Sequence, residues 1–352
     1  MDPFKVLAQL KAKSTSNNLN RFEMNEIGSS RGESAYVWEE KDCYRAMVIE
    51  GLGTKNLIAD EVSKFSKKSH YDAIAQDAVA MIVNDLIVVG ADPQVVNAYF
   101  AVGNSDWFLN KNRTNDLVNG WVKAVNISGA VWGGGETPTL KGIIKSDTID
   151  LAGSAVGIVR PKSRLILGDK LVSGDVILTI ESSGIHANGL TLARKIASKL
   201  PKGYKTRISN GKSYGESLLS PTHIYAGLVR DLFDAGVEIH YMVNITGHGW
   251  RKIMRANREF SYIVEILPKV SPLFEFIQEK SGVDDYEMYG NFNMGAGFAI
   301  FLPDKFVSVV QKIAKEKYGW NSWKSGRVEK GPRQVVIKPK NILFKGESLA
   351  VR

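Results

Sequence analysis

Ala46-Met47-Val48-Ile49-Glu50-Gly51-Leu52-Gly53-Thr54-Lys55 is the stretch from which the rest of this chain is read. Four apolar residues in a row read as a strand, and the hexapeptide Glu50–Lys55 then supplies a carboxylate, two glycines, a hydroxyl and an ammonium. Glycine lets a backbone approach an anion closely, because no Cβ intervenes and positive φ is open to it. A carboxylate such as Glu50 can hold Mg²⁺, and a lysine such as Lys55 can neutralise phosphate. A glycine turn after a strand is by itself the commoner reading. The Walker pattern Gly-x-x-x-x-Gly-Lys-Ser/Thr is absent here. The hexapeptide points to a metal-bound polyphosphate only if the remaining sequence supplies matching parts.

The 352 residues suffice for two domains with ample core. The net charge of +9 suits an enzyme of phosphorylated metabolites, and its basic residues are spread along the chain without a polybasic arm. Nucleic-acid binding is therefore not expected. The single cysteine, Cys43, excludes an intrachain disulfide and fits a reducing, cytoplasmic setting; it reads as a structural thiol rather than a nucleophile. Met1-Asp2-Pro3-Phe4-Lys5 does not read as a signal peptide. No apolar run approaches the roughly 18 residues of a membrane helix, so no membrane partner is expected.

Residues 1–43 are polar, with loop signals at Ser14–Asn18 and Gly28–Ser30, and are expected to be partly mobile or ordered only by ligand. A first domain follows over 44–165. It holds a strand, the glycine turn, a helix from Tyr71 to Val89 ended by Gly90, a strand Val95–Val102, a helix Asn115–Ser128, and strands flanking Gly133-Gly134-Gly135 through to Val159. Polar turns between Arg160 and Asp175 mark a boundary. The second domain, 166–345, restarts with a strand Val176–Ile180 and the loop Ser182–Gly189. Helices Leu190–Leu200 and Thr222–Ala235 follow, then strands Val237–Val243 and Gly297–Leu302. The alternation predicts an α/β (α+β) protein of two domains, each with strands ending in glycine-rich loops.

On the helix from Tyr71, Ile74, Ala78, Met81 and Val89 fall on one face, with Asp85 in its middle and Asp77 and Asn84 together on its flank. A carboxylate on an apolar face must be paired or bind a cation. A structural, salt-bridged aspartate and a metal-phosphate site weigh equally here. Gly133-Gly134-Gly135-Glu136-Thr137 joins bare backbone to a carboxylate and a hydroxyl, which suits close approach to a ligand; the alternative is a flexible hairpin. Ser182-Ser183-Gly184-Ile185-His186-Ala187-Asn188-Gly189 enters a helix, where free N–H groups favour phosphate; the alternative is an ordinary helix entry capped by Asn188. Asn244-Ile245-Thr246-Gly247-His248-Gly249 repeats the theme with an accessible histidine.

In order, Glu50–Lys55, Gln76–Asp85, Gly134–Thr137, Ser182–Gly189, Leu218–Tyr225, Asn244–Gly249 and Glu287–Gly297 resemble the aminoimidazole ribonucleotide synthetase family, also called phosphoribosylformylglycinamidine cyclo-ligases. The likeness runs from about residue 44 to 302, and more weakly to about 340. It implies a two-domain fold and a homodimer whose N-terminal domains build a shared β-barrel, with ATP bound near the interface. It implies ATP- and Mg²⁺-dependent closure of formylglycinamidine ribonucleotide to aminoimidazole ribonucleotide. On that reading Lys55, Asp85 and His186 are catalytic, and Glu50, Asp77, Asp85 and Glu136 hold Mg²⁺. Gly51, Gly53, Thr54, Lys55, Asp77, Asn84, Gly134, Gly135, Glu136 and Thr137 surround ATP. Ser182, Ser183, Gly184, His186, Asn188, Thr246, Gly247 and His248 hold the substrate. The chain departs from the family where Glu50 replaces an aspartate, Asn244 a histidine and His248 a glycine, and the family's N-terminal glycine-rich segment is not recognisable in 1–43. Selenophosphate synthetase, the hydrogenase maturation relative and thiamine monophosphate kinase fit less well. Cys43 precedes the first strand, the chain ends Ala350-Val351-Arg352 without a terminal cysteine, and no Asp-Asp-rich entry motif occurs. The alternatives are a paralogous phosphotransferase acting on another small amide or phosphate acceptor, and a non-catalytic nucleotide-binding protein.

Overall fold

The residues ahead of Tyr44 form secondary structure that their polar composition concealed. The computed structural model describes residues 3–349; Met1, Asp2 and the terminal Ala350-Val351-Arg352 lie outside the described residues. Helix α1 (Pro3–Lys13) is followed by strands β1 (Asn25–Glu26) and β2 (Tyr36–Glu39), and β2 pairs antiparallel with β3 (Tyr44–Gly51). Ala35 and Val37 are buried, and Glu33 accepts a 2.8 Å hydrogen bond from the Tyr241 hydroxyl in the second half of the chain. The first sheet thus begins before residue 44. Within the arm expected to be partly mobile or ordered only by ligand, residues 25–39 take part in strand pairing and in the Glu33 contact.

Helix α2 (Lys55–Ser66), not foreseen from sequence, grows directly out of the glycine turn and buries Ile58, Ala59 and Val62. Then come α3 (Tyr71–Ile87), β4 (Asp92–Val102), α4 (Lys111–Ser128), β5 (Val131–Glu136) and β6 (Ile149–Val159). The six strands lie in the order β1-β2-β3-β6-β4-β5. Helix α3 is not amphipathic in the expected sense. Residues on every side of it, among them Val79, Ile82, Val83 and Leu86, are buried. It ends two residues early, and Gly90 turns the chain beyond the cap residue Val88. A Cβ on Gly90 would lie 2.0 Å from the Arg164 carbonyl oxygen, so only glycine fits there.

One face of this sheet packs on α3. The other is apolar and open. In register, Met47 pairs with Val156, Val156 with Val95 and Val95 with Val131, forming one row across four strands. Met47, Val95 and Val131 are all exposed, as is Ile49 further along β3.

The second half is built on β7 (Val176–Glu181), α5 (Leu190–Lys199), α6 (Tyr214–Leu218), α7 (Ala226–Asp234), β8 (Tyr241–Asn244), β9 (Phe260–Val264), α8 (Pro272–Ser281), α9 (Asp285–Asn291), β10 (Ala296–Leu302), α10 (Val307–Tyr318), β11 (Ser322–Lys330), β12 (Gln334–Ile337) and β13 (Ile342–Lys345). Its seven strands run β13-β12-β9-β11-β7-β10-β8. Two expectations are corrected. The helix placed at Thr222 begins at Ala226, because the backbone at Thr222–Tyr225 is bonded to α3 side chains instead. The strand placed at Val237 begins at Tyr241. Strands β7 and β8 run antiparallel to β10, which lies between them, so the loops after β7 and β8 and the loop before β10 meet at one end of the sheet. Among the described residues no helix is long and apolar enough to cross a membrane.

Candidate active site

The sequence put Lys55, Asp77 and Asn84 around a nucleotide. The structure puts all three to work inside the protein. Lys55 opens α2 and is fully buried; its Nζ lies 2.7 Å from Asp77 Oδ2 and 2.8 Å from the Ser220 carbonyl oxygen. Asp77 Oδ1 accepts from the Thr222 N–H at 2.9 Å and from the Thr222 hydroxyl. Burial lowers the pKa of Lys55 and raises that of Asp77, and the contact between them opposes both shifts. Asn84 donates to the His223 carbonyl oxygen and accepts from Tyr225 N–H, while Gln76 donates to the Thr222 carbonyl oxygen. Thus α3 grips the strap Ser220–Tyr225, with Asp77 held between Lys55 and Thr222. The structure places Lys55, Asp77 and Asn84 in this interior contact with the strap.

Asp85 differs. It is nearly buried, and its Oδ1 accepts from Asn244 Nδ2 at 2.8 Å. Glu50, at the tip of β3, is near enough to feel its charge. Burial first, and Asp85 second, push the Glu50 carboxyl up to about 7, with Lys252 and Arg255 opposing. Two neighbouring carboxylates, neither of them in an ion pair among the described residues, are a suitable donor set for Mg²⁺, which commonly takes one or two carboxylates and completes its shell with water and phosphate. Among the described residues no group of three or more metal-ligating side chains occurs, so Glu50 and Asp85 carry this fit.

Glu136 does not join them. Through the pairs Glu50–Gly153, Gly153–Ala98 and Ala98–Gly135, its strand stands three strands from β3, roughly 14 Å away at the usual spacing. The glycines of β5 also have a local cause. A Cβ on Gly135 would lie 2.0 Å from the Ala98 carbonyl oxygen, and one on Gly133 2.6 Å from Val95. Only Gly134, at φ +131°, faces open space; Glu136 and Thr137 are exposed at the sheet edge. Gly51 is exposed at the end of β3, Gly53 turns the chain at φ +76°, and Thr54 makes no side-chain cap.

His186 is buried at φ +60°, and its Nε2 accepts from the Ser183 N–H at 3.3 Å. Burial, then His223 and Lys55, hold it well below the usual histidine range. The enclosed ring fixes the Ser182–Gly189 loop through that bond. Nor does Asn188 cap α5: Gly189 holds that position without a side-chain bond. Asn188 instead reaches the second loop, and a Cβ on Gly247 would lie 3.2 Å from its Oδ1. Thr246 accepts from the buried Lys252, and His248 is exposed.

Ser182, Ser183 and Gly184 line a cavity of about 530 Å³. Across it stand Lys212, Lys269 and Ser271, the last at the entrance to α8. The Ser271 hydroxyl is buried and has no hydrogen-bond partner among the described residues. Asn293 ties the loops together: it accepts from Ser182 Oγ at 3.0 Å and from Gly295 N–H, donates to the Gly184 carbonyl oxygen at 2.9 Å, and its own carbonyl oxygen receives Trp250 Nε1. Sequence reasoning missed Lys252, Lys212, Lys269 and Ser271. Lys252 carried one faint signal, a basic residue on the 3-10 turn Gly249–Met254 that follows the Asn244–Gly249 loop.

The family described as AIR synthase related protein matches this chain twice, its N-terminal domain over residues 32–159 and its C-terminal domain over 172–338. The chain belongs to the AIR synthase family. Its relatives include phosphoribosylformylglycinamidine cyclo-ligases of Pyrococcus horikoshii, 36% identical over 90% of both chains, and of Methanocaldococcus jannaschii, 38% identical over 82% of this chain and 79% of the relative. Similar folds occur in a hydrogenase maturation HypE-HypF complex, with a TM-score of 0.62 and 17% identity over 89% of this chain and 92% of that one. Thiamine monophosphate kinase (AaThiL) complexed with AMPPCP and TMP gives 0.58 and 17% over 89% and 90%. T. maritima PurL complexed with FGAR gives 0.60 and 15% over 96% of this chain and 50% of that one.

Two outcomes follow from the buried groups. Lys55→Ala should cost about 3–5 kcal/mol, since it strands Asp77, and combining Lys55→Met with Asp77→Leu should recover part of that. Urea denaturation measures both, and a single-variant cost below about 1 kcal/mol would contradict the clamp. Burial also pushes His223 down to about 4. The unfolded chain, with a histidine pKa near 6.5, then binds more protons than the folded one between these values, so stability falls as pH drops from about 6.5 towards 4. His223→Phe should flatten that slope by roughly 2 kcal/mol, read by denaturation at pH 4.5 and 7.

Proposed function

We propose that this chain is a phosphoribosylformylglycinamidine cyclo-ligase, converting formylglycinamidine ribonucleotide and ATP into aminoimidazole ribonucleotide, ADP and phosphate. The observation that carries this reading is the match, over nine-tenths of both chains, to the Pyrococcus horikoshii cyclo-ligase. The AMPPCP-bound kinase of the same fold supports ATP as the phosphoryl donor.

The chemistry asks for few parts. An amide oxygen is a poor leaving group at neutral pH. Transfer of the terminal phosphoryl group of ATP to that oxygen makes an imidate phosphate. The neighbouring amidine nitrogen attacks the imidate carbon, the ring closes, and the carbon–oxygen bond breaks to release phosphate. Phosphoryl transfer needs mainly positioning and charge neutralisation. Glu50 and Asp85 would hold Mg²⁺, which offsets the charge of the phosphates. Asn244 fixes Asp85 through its 2.8 Å hydrogen bond and acts as a positioning residue. Ser182, Ser183, Lys212, Lys269 and the entrance of α8 would take the ribose phosphate, since hydroxyls, ammonium groups and free N–H groups favour a dianion. Asn244 in β8 is two strands from β7, roughly 10 Å, a span that suits an extended ribonucleotide with its reacting amide at one end and its phosphate at the other.

The open apolar row Met47–Val156–Val95–Val131 supports a homodimer, with a second copy of this chain covering that face.

Asp85→Asn and Glu50→Gln should each lower kcat/KM about 100-fold or more with little loss of stability. The assay is diazo coupling of the aminoarene product, and excess EDTA should abolish the signal in the unaltered protein. ATP turnover without aminoarene would favour the paralogous phosphotransferase instead. Val95→Lys combined with Ile49→Lys should yield monomers in sedimentation velocity; a persistent dimer would remove this face from the interface.

A further inference from the structure

Lys252 is a buried cation that no carboxylate pairs with among the described residues. It lies on the Gly249–Met254 turn and is 6% exposed. Its Nζ donates to Thr246 Oγ1, and Thr246 is its one hydrogen-bond partner among the described residues. An ammonium has three protons to donate. The charges that face it are Asp85, Glu50 and Arg255; burial lowers its proton affinity, with the two carboxylates opposing and Arg255 adding to the shift. Neither carboxylate reaches ion-pair distance, in contrast to Lys55, which is bound by both Asp77 and Ser220. A buried ammonium with unused donors is costly unless an anion completes it. The space it shares is that of the carboxylates proposed to hold Mg²⁺, where anions are brought by their metal.

We propose that Lys252 binds the phosphoryl group in transfer, the role that the sequence alone would give to Lys55. Thr246 orients the ammonium, and the carboxylate pair and the lysine then contact the same group from the metal side and the protein side. This inference rests on the ATP-dependent reading of the site. It concerns the terminal phosphate of the nucleoside triphosphate, not the ribose phosphate of the acceptor, which is assigned to the Ser182–Ser271 cavity.

Calorimetry with Mg-AMPPCP, Mg-ADP and the ribonucleotide substrate separates these possibilities. Lys252→Met should weaken Mg-AMPPCP binding about 10-fold or more, while Mg-ADP and substrate binding change less than about twofold. Lys252→Gln keeps a donor for Thr246 without the charge and should give the same selective loss; thermal melting reports whether each variant is folded. Lys252→Arg should restore part of the affinity. Equal weakening of both nucleotides, loss confined to the substrate, or no loss would each overturn the proposal. Failure of the unaltered protein to bind either nucleotide would instead overturn the ATP-dependent reading on which it rests.

Discussion

The buried ion pair of Lys55 and Asp77 is the constraint on which the rest of the structure depends. Two charges removed from water are tolerated only when geometry and hydrogen bonds are complete. Completion here needs Ser220 and Thr222, both from the second half of the chain. The pair therefore fixes where the strap lies against α3. Asn84 extends the grip to Tyr225, and Asp85 meets Asn244 at the end of β8. One local requirement, satisfying a buried lysine, sets the relation between the two sheets and so shapes the site between them.

That same pair explains what could and could not be read from sequence. The β3 strand, the glycine turn, α3, α4 and the paired loops of the second half were legible, because apolar runs and glycine punctuation are local signals. Helix α2 was not. Its first residue was already read as a phosphate ligand, which drew the glycine turn past the start of the helix. Lys55 and Asp77 looked like site residues because lysine and aspartate near glycine suit a nucleotide. Nothing local shows that they face each other, or that Thr222 stands 145 positions away. The enclosure of His186 was hidden for a similar reason, since its neighbours His223 and Tyr225 come from the strap. Gly133 and Gly135 were attributed to a ligand, but the backbone that crowds them belongs to β4.

What survives of the site is smaller and better defined. Asp85 accepts from Asn244 at the end of β8, and Glu50 at the end of β3 lies near enough to feel the Asp85 charge.

Glu33, anchored to Tyr241 and lying 3.6 Å from Arg255, adds a tether from the start of the chain to its far half. With the strap and the Asp85–Asn244 bond, it joins the two halves at three separate places. Tethers so distributed hold the halves together at more than one place. Traffic of nucleotide and product must then pass through the loop ends at 182–189, 245–249 and 291–295. The timing of each turnover would belong to those loops, with the sheets serving as a fixed frame.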